Sequence, residues 1–140
     1  MTISKEVKSL NMPWEQEYGY SQAVKVGDTV YVSGQISHDE KGEFVGVGDM
    51  EAQMRQCYAN IKKLLAEYGA TMDNIVDETL FVTDMETALG ASLKCRREIF
   101  SGAPVAALTA VNPRARVSRT DDRDQMRRQG VKPLSAKQII

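Results

Sequence analysis

Few residues in this 140-residue chain are of a type that does chemistry, and their spacing narrows the choice further. There is one histidine, His38, so a Ser-His-Asp triad would have to recruit it with Ser33 or Ser37 as nucleophile. Neither serine stands in a strand-turn-helix elbow. Cys57 and Cys95 lack CxxC spacing, and with a single histidine no ordinary zinc cluster can be assembled. The carboxylates of Asp39/Glu40 and Asp77/Glu78 are adjacent in sequence, and adjacent strand residues point to opposite faces. They read as solvated charge, not as shared acid and base. No phosphate-cradling loop or dinucleotide fingerprint is present, and nothing implies a cofactor. What remains is a glycine. Gly34 falls inside an apolar strand, where glycine marks either a bulge or a close backbone approach by something else, a ligand included.

The elements that must position these residues follow from hydrophobic period. Ala23, Val24 and Val26 before Gly27-Asp28, with Val30, Tyr31 and Val32 after it, spell a β-hairpin. A Gly-rich charged loop, "HDEKGEFVGVGD", comes next. From Asp49 the period becomes helical: Met54, Cys57, Tyr58, Ile61, Leu64, Leu65 and Tyr68 recur at three- and four-residue steps, with Asp49 as N-cap and Gly69 just past the C-terminus. "NIVDETLFVTD" predicts a strand, Asp84 caps a second helix running to Phe100, and Gly102 and Pro104 stop it. "VAALTAV" predicts a last short strand ending at Val111. The order β-β-α-β-α-β implies an α+β sandwich, a mixed sheet with two helices on one face. Two helices leave the other face bare, so self-association is expected.

The length suits one domain, since a single core serves chains of up to roughly 150 residues. Residues 1–111 hold ten Lys/Arg against sixteen Asp/Glu, while 112–140 hold eight against three. An acidic body of charge about -6 therefore precedes an atypical basic tail of about +5. The acidic body and the lack of an aromatic stacking platform disfavour a nucleic-acid partner. No segment reaches the roughly 20 apolar residues of a membrane span, and no apolar leader opens the chain. A soluble, cytoplasmic protein with two reduced cysteines is expected.

At "YGYSQAVKVGDTVYVSGQ" and "NIKKLLAEYGATMDNIVDETLFVTDM" the sequence resembles the Rid family, also called the YjgF or L-PSP family, over about residues 18–111. The resemblance implies a chorismate-mutase-like protomer in a homotrimer whose sheets form a central barrel, with ligand pockets between subunits. It implies a metal-free activity on small imines and enamines, releasing ammonia and a 2-keto acid, with RNA cleavage suggested by older family names. Carried onto this chain, Tyr20 would stand at the pocket wall, Ser33 would be among the substrate-binding residues, and Gly34 would bring its backbone to the ligand. Alternatives stay open: a packed aromatic for Tyr20 and a bulge for Gly34.

Departures from the family pattern bear on activity. Where the deaminases carry an arginine that grips the substrate carboxylate, this chain has Leu108 before Thr109, and the second-helix asparagine is replaced near Lys94. Lys94 reads either as a substitute cation or as a helix-surface lysine. The family's last strand, with its glutamate, has no counterpart after Val111, and "DDRDQMRRQ" offers one apolar residue in nine. The genetic code permits Asp121–Arg128 to be written so that, read one base later, it gives Met-Ile-Glu-Ile-Arg-Cys-Val-Ala, a strand with the glutamate included. The expectation is that the chain after about Val111 is encoded one nucleotide out of register, a point the gene's nucleotide sequence decides. A weak or altered deaminase, or a pocket that binds a metabolite without turnover, is the functional expectation.

Overall fold

A computed structural model describes residues 1–100 and 106–112. The hairpin forms as its sequence dictates. β2 (Ala23–Val26) and β3 (Thr29–Val32) pair antiparallel with Val26 opposite Thr29, and Gly27 takes the first turn position at φ 58°, where a side chain would be strained. The period did not reveal β1 (Glu6–Lys8), which adds antiparallel to β2, or α1 (Pro13–Glu17). Three and five residues are too short to display a period. The Tyr68 hydroxyl at the far end of the long helix donates to the Glu6 and Ala23 carbonyls (3.0 and 3.1 Å), fastening this sheet to the helix.

That helix, α2 (Met50–Ala66), starts where Asp49 accepts from the Ala52 amide at 3.0 Å. It ends in paired bonds, Ala70 amide to Leu65 carbonyl and Gly69 amide to Ala66 carbonyl, with Gly69 at φ 69°. Its face of Met54, Tyr58, Ile61, Leu64 and Leu65 is core. After a 3₁₀ turn at Met72–Asn74 comes β4 (Asp77–Phe81), then α3 (Met85–Ile99), capped by Asp84 on the Thr87 amide at 2.7 Å. α3 buries its small residues Ala88, Ala91, Ser92 and Cys95. Leu89 and Leu93 stay outside at 52% and 56% exposure, so an apolar strip of this helix has no cover within the described chain.

β5 (Ala107–Val111) runs parallel to β4, with Asp77 opposite Ala107 and Phe81 opposite Val111. The fold is α+β, but the expected single mixed sheet is divided: β1-β2-β3 form an antiparallel sheet and β4-β5 a parallel pair. Ser33–Ile36, just after β3, and β4 face one another across a groove of about 330 Å3 floored by α2. Among the described residues no strand bridges it, so the two sheets share no ladder. The expectations placed on residues 113–140, the basic tail and its coding register, lie outside the described residues. No helix among those described is long and apolar enough to cross a membrane.

Candidate functional site

Two hollows meet at Gly34. One is the groove between the sheets; the other, about 550 Å3, is walled by Trp14, Tyr18, Tyr20, His38 and Phe44. The aromatic wall is built from short local devices. Glu15 is buried in α1, and burial alone would raise its carboxyl. The Ser9 hydroxyl and the Met12 and Leu10 amides outweigh that and hold it below the ordinary carboxylate range. The same bonds fix the helix that presents Trp14 and leads into Tyr18. Trp14 meets His38 edge-on, with ring centroids 5.1 Å apart. Gly42 lies under the indole at φ 82°, where an added Cβ would come within 3.0 Å of it.

His38 is buried, and its Nδ1 lies 2.8 Å from the Asp39 carbonyl; a carbonyl can only accept, so Nδ1 carries the proton. The buried Asn60 amide of α2 donates to the His38 and Ile36 carbonyls (3.1 and 3.3 Å), pinning the loop. Asp39 accepts from the Lys41 and Glu43 amides, which shapes the same loop, and Glu40 pairs with Lys63 at 2.6 Å. These carboxylates are structural.

Gly34 stands beyond the end of β3 and so interrupts no ladder. Nothing lies within 4 Å of where its Cβ would be, so the missing side chain leaves open space beside the backbone. Ser33 is committed elsewhere: its hydroxyl donates to the Ser21 carbonyl at 2.6 Å, which removes it as a free nucleophile. Gln35 donates to the Gln22 side chain (2.8 Å) and the Ser33 carbonyl (3.0 Å), and leaves its own buried amide oxygen without a partner. Tyr20 and Gly34 line the aromatic hollow, whereas Ser33 lines the groove between the sheets, with Gly34 common to both. Lys94 and Leu108 line neither. Lys94 pairs with Glu51 at 3.2 Å on the outer face of the helix pair, and Leu108 lines a separate cavity with α3.

Two features were missed in the sequence. The aromatic wall is one, because residues 14, 18, 20, 38 and 44 come together only through the tertiary packing of α1 against the segments that carry the others. Glu78 is not solvated: it is 3% exposed, its carboxylate pairs with Arg96 of α3, and Tyr58 donates to it at 3.0 Å. The Arg96 guanidinium in turn lies 4.8 Å over the Phe100 ring. The available signal was parity, since Glu78 shares its strand face with Leu80 and Val82.

Cys57 borders the inter-sheet groove and donates to the Gln35 carbonyl at 3.5 Å. Burial pushes its thiol up to about 11. That leaves roughly a hundredfold less thiolate at neutral pH than an ordinary thiol would have. Alkylation by iodoacetamide, located by peptide mass mapping, should be correspondingly slow at pH 7 and accelerate towards pH 11. Labelling at the rate of free cysteine at pH 7 would contradict the burial.

Comparison with known proteins bears on the family and the fold. Residues 12–116 match the family model described as endoribonuclease L-PSP. The chain is 38% identical over 95 residues, 68% of its own length and 71% of the other's, to the RutC family protein YjgH of Escherichia coli. It is 36% identical over 63 residues, 45% of its length, to a protein of Dermatophagoides farinae named 2-iminobutanoate/2-iminopropanoate deaminase. The chain spans about half the length of that relative and of several others it matches. The crystal structure of YyfA from Yersinia pestis, a Rid-family protein of unknown function, superposes with a TM-score of 0.67 at 30% identity, covering 78% of this chain and 86% of that one. From the fold and these matches together, the chain belongs to the endoribonuclease L-PSP, or Rid, family.

Proposed function

We propose that this protein hydrolyses small reactive imines or enamines of the 2-amino-acid type in the aromatic hollow beside Gly34, with a rate lowered by the lack of a carboxylate-gripping guanidinium there. Water adds across the C=N bond, the C–N bond breaks, and ammonia and a 2-keto acid leave. The observation that carries this reading is the hollow itself: aromatic faces on one side and open backbone at Gly34 on the other suit a flat, delocalised C=N compound. The deaminase name of the mite relative supports the reaction class.

Lys94 is engaged by Glu51 and position 108 is leucine, so neither offers a cation to the hollow. A lost charge-assisted pair is worth about 2–3 kcal/mol, near a hundredfold in binding. The same observation favours a second reading, a module that binds a metabolite without turnover. The aromatic wall would also accept a nucleobase, but residues 1–111 carry a charge of about -6, which opposes a phosphate backbone. We place the hollow in a homotrimer, because the exposed Leu89, Leu93 and Leu108 need cover.

The test is ammonia release from freshly generated 2-iminobutanoate, with light scattering on the same sample. We expect release above background, about a hundredfold slower than by an arginine-bearing relative, from a particle of three chains. Release at the background rate with retained binding would leave the binding module. A monomer at micromolar concentration would overturn the assembly.

A further inference from the structure

The hollow beside Gly34 is electrostatically one-sided. Trp14, Tyr18, Tyr20 and Phe44 supply its rings and Glu17 a carboxylate, while among the described residues no lysine or arginine lines it. Glu17, at the end of α1, makes no ion pair among those residues. Where the described chain sets a cation over a ring it does so elsewhere: Lys8 lies over Tyr68 and Arg96 over Phe100. Tyr18 and Phe44 are 74% and 69% exposed, so a molecule arriving from solvent meets them directly. Aromatic faces are the negative ends of their quadrupoles, and rings joined to a carboxylate make an apolar wall that attracts positive charge.

We infer that this hollow binds small organic cations, nitrogen groups whose positive charge is wrapped in alkyl substituents. The substituents bury against the rings, while the ring quadrupoles and the Glu17 carboxylate hold the charge. At about 550 Å3 the hollow has room for such a group. A neutral alkyl compound of the same shape gains only the wall. A ligand that also carries a carboxylate meets Glu17 with no cation among the described lining to offset it. The inference rests on the hollow that the proposed reaction uses, not on the reaction itself. It adds that the rings hold the nitrogen end of a ligand, and that a carboxylate on the ligand counts against binding.

The experiment is calorimetric titration of the full chain with choline, with 3,3-dimethylbutan-1-ol, in which carbon replaces the charged nitrogen, and with glycine betaine, which joins a carboxylate to the same trimethylammonium group. Choline should bind about tenfold or more tightly than its uncharged isostere, and more tightly than betaine. Tyr18→Leu with Phe44→Leu keeps an apolar wall but removes two rings, and should weaken choline about fivefold while leaving the isostere unchanged. Both positions are exposed, so this variant should fold, which circular dichroism checks. Glu17→Gln, also at an exposed position, should weaken choline about threefold and provides an independent variant. Undetectable choline binding, equal affinity for choline and its isostere, or wild-type choline binding by the leucine variant overturns the cation site. Betaine binding more tightly than choline would reveal a cation in the hollow and overturn it as well. Failure of the proposed reaction reads differently: ammonia at background while choline binding persists.

Discussion

Glu78→Ala should destabilise the protein by about 3–5 kcal/mol, much of the total stability of a domain this size. Glu78 is 3% exposed on β4, and its carboxylate pairs with Arg96 and accepts from the Tyr58 hydroxyl. Removing it leaves the half-buried Arg96 guanidinium and the buried Tyr58 hydroxyl without their partner, and that desolvation cost, more than the worth of the pair, sets the magnitude. The expected fall in melting temperature is roughly 10–20 °C. Replacing both partners, Glu78→Met with Arg96→Leu, should recover part of the loss, because the two apolar side chains need no counter-ion while the Tyr58 hydroxyl still lacks its acceptor. Urea denaturation of the single and double variants provides the measurement. A single variant within about 1 kcal/mol of wild type would mean that water reaches the pair and screens it.

Gly46→Ala is the second large effect, expected at about 2–5 kcal/mol. The position combines two requirements: φ is 70°, where a Cβ costs about 1–2 kcal/mol, and that Cβ would stand 2.7 Å from the Ala52 Cβ and 3.0 Å from the Gln53 amide. Both neighbours belong to the first turn of α2, which cannot yield without disturbing the Asp49 cap. The Gly46 carbonyl also accepts from the Gln53 side chain at 2.8 Å and from the Asp49 amide at 2.9 Å, so the loop carrying Phe44 is moored there. Gly48→Ala is the control. Gly48 has φ 80° but open space around it, so only the conformational cost of about 1–2 kcal/mol applies. Equal losses in thermal melts of the two variants would remove the steric argument.

These two predictions rest on features that differ in how they are written into the chain. The hairpin at Gly27-Asp28 and the helices capped by Asp49 and Asp84 were legible, because period, cap and turn chemistry act between residues a few positions apart. The resemblance at Tyr20, Ser33 and Gly34 was equally local; in the structure Tyr20 and Ser33 line two different hollows that meet at Gly34. What packing alone decided were relations between distant segments. Glu78 looked like solvated charge beside Asp77 until α3 set Arg96 against it, and Lys94 looked available until Glu51 took it. Trp14, Tyr18 and Phe44 became a wall only when α1 and the Asp39 loop closed on one another around His38. The division of the expected mixed sheet belongs to the same class, since whether β3 and β4 share a ladder depends on what lies between them. Local free energies of turn, cap and period are set by a few neighbouring side chains and can be read in order. The partner of a charge, the wall of a cavity and the neighbour of a strand edge are set by which surfaces the tertiary fold apposes, and that is not written in any one segment.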